Sequence, residues 1–243
     1  MVCMSATMSA QDIDFSTRLM YNLGGVTPLP LPSEVKSINS FSPRWNFGVE
    51  GTAVWHFSDR WAAQAALRLE RKSMSTKVTV ENYHTSLVQG GDQIDGNYTG
   101  LESTEISFTQ LTLPLLARLE FNDHWAVVLG PYVSYNLANK FQGEASNGYM
   151  RRLNTDPITG QMVPIGPRVD IPSDNPANYD FADDLRRWQW GFEVGMDWQF
   201  HPHLLLNVHL DWSLDDVFRD RFSQTITFPM YAIYSSIGLG WKF

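Results

Sequence analysis

Two histidines, His201 and His203, flank Pro202, a spacing at which a metal ion can be held. No further ligand lies nearby in sequence, and the pair sits in a short polar turn, so a turn is the stronger reading. His124 occupies an equivalent turn and is read the same way. His209 stands beside Asp211 on a polar strand face, where a hydrogen-bonding role is expected. Two acid pairs, Asp183-Asp184 and Asp215-Asp216, could divide acid and base roles if burial set their pKa values apart. Neither has a partnered histidine in sequence. The chain carries no Gly-x-Ser-x-Gly, no His-Glu-x-x-His and no phosphate-binding glycine loop. These residues predict no catalytic site, no metal site and no cofactor.

The elements that hold these residues repeat with a period of two. Trp45, Phe47, Val49, Ala53, Trp55 and Phe57 alternate with Arg44, Asn46, Gly48, Glu50, Thr52 and His56. Trp188, Trp190, Phe192, Val194, Met196, Trp198 and Phe200 alternate with Arg187, Gln189, Gly191, Glu193, Gly195, Asp197 and Gln199. Eight such segments run through the chain with no helical period between them. Strict alternation means strands with one apolar and one polar face. Three connections, 57–61, 121–125 and 200–204, are versions of one tight turn closed by large apolar residues. The opposite connections, 23–43, 73–107, 138–184 and 215–227, are long. Short turns at one rim and long loops at the other mark a membrane-spanning barrel. The predicted fold is therefore all-β: an eight-stranded antiparallel up-and-down transmembrane β-barrel. Short periplasmic turns and long extracellular loops place it in the bacterial outer membrane.

Composition agrees. The 243 residues are 43% hydrophobic and 13% aromatic, yet no stretch approaches the roughly 18 apolar residues of a membrane helix. A net charge of −8 leaves no basic footprint for nucleic acid. One cysteine, Cys3, excludes an internal disulfide. Residues 1–10 resemble the end of a secretory signal, and 11–243 form the barrel.

The polar faces must point inward. They carry Gly48, Gly130, Gly191, Gly195, Gly238 and Gly240, which leave room in a narrow lumen for long charged side chains. Those side chains are Arg18, Arg44, Glu50, Arg68, Glu70, Arg118, Glu120, Arg187, Glu193, Asp197, Asp211 and Lys242. A soluble barrel with its apolar face inward would expose every one of these glycines. Charges in a low-dielectric lumen need partners. Arg68, Glu70, Arg118, Glu120, Glu193 and Asp197 are the predicted lumen charge network. Strand character continues through residues 77–83, but Val78 and Val80 have the wrong parity to continue Leu67 and Leu69. Either a bulge intervenes, or a hairpin pairing 73–83 with 102–108 extends beyond the membrane.

The stretches Gln110-Leu-Thr-Leu-Pro-Leu-Leu-Ala-Arg-Leu119, Leu129-Gly-Pro-Tyr-Val-Ser-Tyr135 and Gly191-Phe-Glu-Val-Gly195 resemble the PorT family, small outer-membrane barrels of Bacteroidetes-type bacteria. The terminal Ile237-Gly-Leu-Gly-Trp-Lys-Phe243 looks like a strand recognised by barrel-assembly machinery. The resemblance covers residues 108–243 well and the N-terminal half by pattern. It implies a non-enzymatic accessory component of type IX protein secretion, with the outer-membrane bilayer and other secretion proteins as partners. Arg151-Arg152 and a proline-rich run including Pro164 and Pro167 make 139–184 a candidate partner-docking loop. The alternatives are an envelope or adhesion barrel binding surface ligands, and a surface enzyme using Asp183, Asp215 or His84 on its loops.

Overall fold

The computed structural model describes residues 13–219 and 228–243. The predicted segment 1–10 lies outside them. The strands are β1 (Ile13–Pro28), β2 (Val35–Pro43), β3 (Phe47–His56), β4 (Trp61–Gln89), β5 (Asp92–Glu120), β6 (Trp125–Arg152), β7 (Asn154–Thr155), β8 (Met162–Val163), β9 (Arg168–Ile171), β10 (Ala177–Asp180), β11 (Trp188–His201), β12 (Leu204–Ser213) and β13 (Met230–Lys242).

Eight of them close a ring: β1, β3, β4, β5, β6, β11, β12, β13 and back to β1, every pair antiparallel. One circuit measures the stagger. Arg60 bonds Glu120, and the partners then run Ala126, Asp197, Asn207, Gly238, Met20, Gly48 and Glu70. The circuit returns to the starting strand ten residues beyond Arg60. A shear of ten on eight strands tilts them by roughly 40° and leaves a lumen that side chains fill.

The tight turns satisfy their own backbone. Phe57 and Ser58 donate their N–H groups to the Trp61 carbonyl, and Phe121 donates to Trp125. Asn122 Oδ1 accepts the N–H groups of His124 and Trp125, so an asparagine closes the second turn. Trp125 stacks on Trp198 with ring centroids 5.4 Å apart, and His203 stacks on Trp241 at 5.2 Å. These rings form the lower aromatic girdle.

The two faces have opposite chemistry. Arg68 is 0% exposed, whereas Leu129 is 55% exposed. Leu19, Val49, Leu67, Leu115 and Leu239 also point outward. The membrane replaces water around that apolar band.

Three strands overrun the bilayer. A tilted strand needs roughly 9–11 residues to cross, but β4 and β5 have 29 residues each and β6 has 28. The pairing Ser73↔Ser107 continues to Val80↔Gly100 and on to Gln89↔Asp92. The extended hairpin is present, and no bulge separates Leu69 from Val80 in that ladder; the register shifts only between Val80 and Tyr83. Parity changes because the surroundings do. Even positions of β4 face inward as far as Val80, but inside they pass from Arg68, Glu70 and Lys72 to Met74 and Val80; beyond the register shift the inward positions are odd, Tyr83, Thr85 and Leu87. Outside, lipid gives way to water.

The expectation of a loop over 139–184 needs correcting. β6 continues through Arg152, and β9 and β10 return against it, pairing Tyr149↔Asp170 and Gly143↔Tyr179. The projecting strands thus have a core of their own, including Leu87, Tyr98, Ile106, Phe141, Met150 and Ile171. The wall also differs from a plain cylinder on one side, where β2 rather than β3 pairs with the upper part of β4.

Candidate functional site

The lumen network is assembled at the level of the membrane. Arg68 on β4 lies 2.7 Å from Glu50 on β3, 3.1 Å from Glu193 on β11 and 3.2 Å from Asp211 on β12. Lys72 bridges Asp211 at 2.8 Å and Glu70 at 3.0 Å. Arg18 meets Asp197 at 2.9 Å and Glu50 at 3.5 Å. Arg118 contacts Asp197 and lies 3.0 Å from Glu120, which also reaches His56 at 3.1 Å. His209 lies between two carboxylates, Nδ1 2.7 Å from Glu193 and Nε2 3.1 Å from Asp197. Its ring sits over the bare backbone of Gly195, where a Cβ would stand 2.1 Å from His209 Cδ2. That glycine is required by close approach.

The six residues singled out from sequence are all in this cluster, but their pairing differs in detail. Arg118 pairs with Glu120, while Arg68 and Glu70 take different partners. Glu70 goes to Lys72, and also accepts hydrogen bonds from Thr112 and Asn22. Arg18, Glu50, Lys72, His209 and Asp211 belong as well. Polarity and parity mark Arg18, Glu50 and Asp211 as inward-facing and His209 as lying on a polar face, while Lys72 joins them from the structure alone; the stagger decides which share a level. Three expected lumen residues lie elsewhere. Arg44 and Arg187 are exposed, and Arg187 donates to the Tyr135 hydroxyl at the upper rim. Lys242 is half-buried at the lower rim and lies 2.6 Å from Asp14. Both arginines lie past the point where their strands are enclosed.

Several of the histidines and acids weighed for chemistry serve local structure. His203 Nδ1 lies 3.0 Å from the Lys242 carbonyl, and His124 Nδ1 lies 2.9 Å from that of Gln199. Asp216 accepts the N–H groups of Phe218 and Met230, and Asp215 accepts that of Trp190. His84 contacts Asn97 at 3.2 Å. Among the described residues, no three His, Cys, Asp or Glu side chains gather as metal ligands.

The candidate docking segment forms the tip of the projecting tier. Arg151 and Arg152 end β6, and the chain folds back so that Arg152 exchanges backbone hydrogen bonds with Gly166 and Pro167. Pro167 is exposed and Pro164 half-buried. Ile158 is 92% exposed at the apex, with Ile165 nearby and also exposed.

One acid in the projecting tier is buried without a cation. Glu102 on β5 is 8% exposed, and no described residue forms an ion pair with it. Burial pushes its carboxyl up to about 7, while hydrogen bonding with the Tyr179 hydroxyl pulls the other way. The folded chain therefore holds a proton that the unfolded chain releases near 4.5. Stability of the tier falls as pH rises from there through about 7, then levels off. Amide protection across residues 102–106, corrected for intrinsic exchange, should drop between pH 5 and pH 8 in the wild type. Glu102→Gln should flatten that profile. A flat wild-type profile would remove the carboxyl from the account.

A closed eight-stranded ring, lipid-facing leucines and an ion-paired lumen define an outer-membrane β-barrel. The chain belongs to the family described as outer membrane protein beta-barrel domain, whose match spans residues 9–219. Its location is the bacterial outer membrane. No curated protein matches it. Among solved structures it is similar to Ail, the attachment invasion locus protein of Yersinia pestis, at 10% identity and TM-score 0.40, covering 96% of this chain and 99% of that one. It is also similar to Neisserial surface protein A at 8% identity and TM-score 0.38, covering 95% and 97%. OprG of Pseudomonas aeruginosa matches at 12% identity and TM-score 0.32, covering 95% and 94%.

Proposed function

We propose that this barrel is a non-enzymatic docking component of the outer membrane that holds a partner protein of the type IX export machinery. The observation that carries the reading is the length of β4, β5 and β6, nearly three times what a crossing needs. A lumen filled by paired side chains gives a diffusion porin no path. The additional strand length instead builds an ordered platform beyond the bilayer. Its tip offers Arg151 and Arg152, neither ion-paired with a described residue, beside the exposed Ile158 and Ile165. Cationic and apolar groups together are suited to a protein surface. The PorT-like motifs supply the assignment to type IX export.

The test replaces residues 153–167 with a short turn in the native host. Proteins carrying type IX sorting domains should fall at least tenfold in the medium and accumulate in the periplasm, while the barrel still assembles. Copurification of export components should be lost with them. Unchanged secretion would overturn the export role and turn attention to surface ligands.

A further inference from the structure

The wall of the barrel is not joined by backbone all the way up. The last hydrogen bond on the β3 side of β1 runs from the Asn22 N–H to the Asn46 carbonyl. Above it, β1 remains paired with β13 on one edge, from Leu23↔Ser235 to Pro28↔Met230. Its other edge faces β2, which pairs with β4 and has no ladder to β1. Side chains close this seam. The Val26 N–H points at Met74 Sδ, 3.3 Å away. The same methionine and the Phe41 ring pack against Gly25, where a Cβ would lie 2.4 Å from the sulfur and 3.2 Å from the ring.

Behind the seam lies a cavity of about 360 Å³. Its walls are mainly apolar, with Val80, Ile106 and Phe141 among them, and its polar groups include Glu102, Thr104 and Tyr179. Thr104 and Tyr179 share a 2.6 Å hydrogen bond, and the Tyr179 hydroxyl also hydrogen-bonds Glu102, whose carboxyl still has no charged partner among the described residues. The rings of Tyr83, Phe141, Tyr179 and Phe181 share the cavity. Leu31, Ile38 and Phe41 line the same cavity yet are exposed, so they stand at its mouth, and Trp45 is 77% exposed. β2 also exposes Lys36, Ser37 and Asn39, and the apolar path downward runs through Trp45, which stacks on Phe47 of the lipid-facing wall at 6.0 Å.

A carboxyl among aromatic faces in an apolar cavity matches one head-group chemistry best. An ammonium supplies the missing countercharge and is attracted to the ring faces. An apolar tail fits the walls and the route through the seam. We propose that the cavity is a binding site for a primary alkylamine, with its amino group on Glu102 and its chain lying back through the β1–β2 seam toward the bilayer. The site is separate from the docking tip and stands whether or not the barrel serves export.

The methionine methyl groups make the test direct. Met74 and Met230 line the cavity, and Met196 faces lipid on β11. The full chain, carrying 13C-labelled methionine methyls, is placed in lipid nanodiscs and titrated with decylamine. Met74 and Met230 signals should shift saturably, while Met196 reports only gradual partitioning into the bilayer. Glu102→Gln should weaken the saturable response at least tenfold, and decanoic acid should produce none in the wild type. Three outcomes would each overturn the proposal. Met74 and Met230 could track Met196, decanoic acid could bind as well as decylamine, or a folded Glu102→Gln barrel could respond unchanged.

Discussion

An Arg68→Met barrel should be less stable than the wild type by about 3–5 kcal/mol, the cost typical of removing one partner from a buried ion cluster. Arg68 is fully buried and reaches Glu50, Glu193 and Asp211 from a single guanidinium. Its removal leaves those carboxylates facing one another in a lumen closed to bulk water. Lys72 stays on Asp211, Arg18 on Glu50 and His209 beside Glu193, but the guanidinium that all three acids shared is gone. Arg68→Lys should recover only part of the loss, because one ammonium cannot reproduce a planar fork with donors aimed at three acceptors. Urea unfolding in lipid vesicles, followed by tryptophan fluorescence, gives the number. Adding Glu50→Gln and Glu193→Gln to Arg68→Met should restore much of the stability, since neutral amides no longer repel. If Arg68→Met lay within about 1 kcal/mol of the wild type, an exposed-pair magnitude, the cluster would be a packing feature rather than an electrostatic one.

The alternation that reveals the barrel is written plainly in sequence because each membrane-level residue has only two environments. A side chain such as Val194 meets lipid, and its neighbour Glu193 meets the lumen, so chemistry follows parity. Partner choice is not written there. Lys72 and Asp211 are 139 positions apart and meet because the ring closes with a stagger of ten. Any other stagger would pair the same strands and bring different charges to one level. The projecting tier was legible in part. Val78 and Val80 break the parity of Leu67 and Leu69 without a bulge, so the break itself records where lipid ends. Residues 139–152 were not legible as a strand because local geometry interrupts the period. Asn147 has φ of 53°, and the register with β5 shifts between Thr99 and Leu101 opposite it. The Gly143 backbone lies so close under Tyr179 that a Cβ would be 2.2 Å from its hydroxyl. The prolines after Arg152 then gave the stretch the look of an open loop, although β9 and β10 return along β6.

Val194 reports directly on which face of the wall meets lipid. This residue is near the middle of β11, between the partners Leu129 and Leu210, and its side chain is exposed on the apolar side of the wall. Val194→Arg should cost about 2–4 kcal/mol in vesicles, the range for a basic side chain at the bilayer midplane. The same change at Phe200, close to the lower end of β11, should cost about 0–1 kcal/mol because the guanidinium reaches the interface. A lipid bilayer has such a depth gradient, whereas water does not. Two substitutions on one face of one strand therefore separate a membrane-embedded wall from a solvated one. Equal and small penalties at both positions would mean that the apolar band is not in contact with lipid, and the inward-facing charges would then lose the physical reason for their burial.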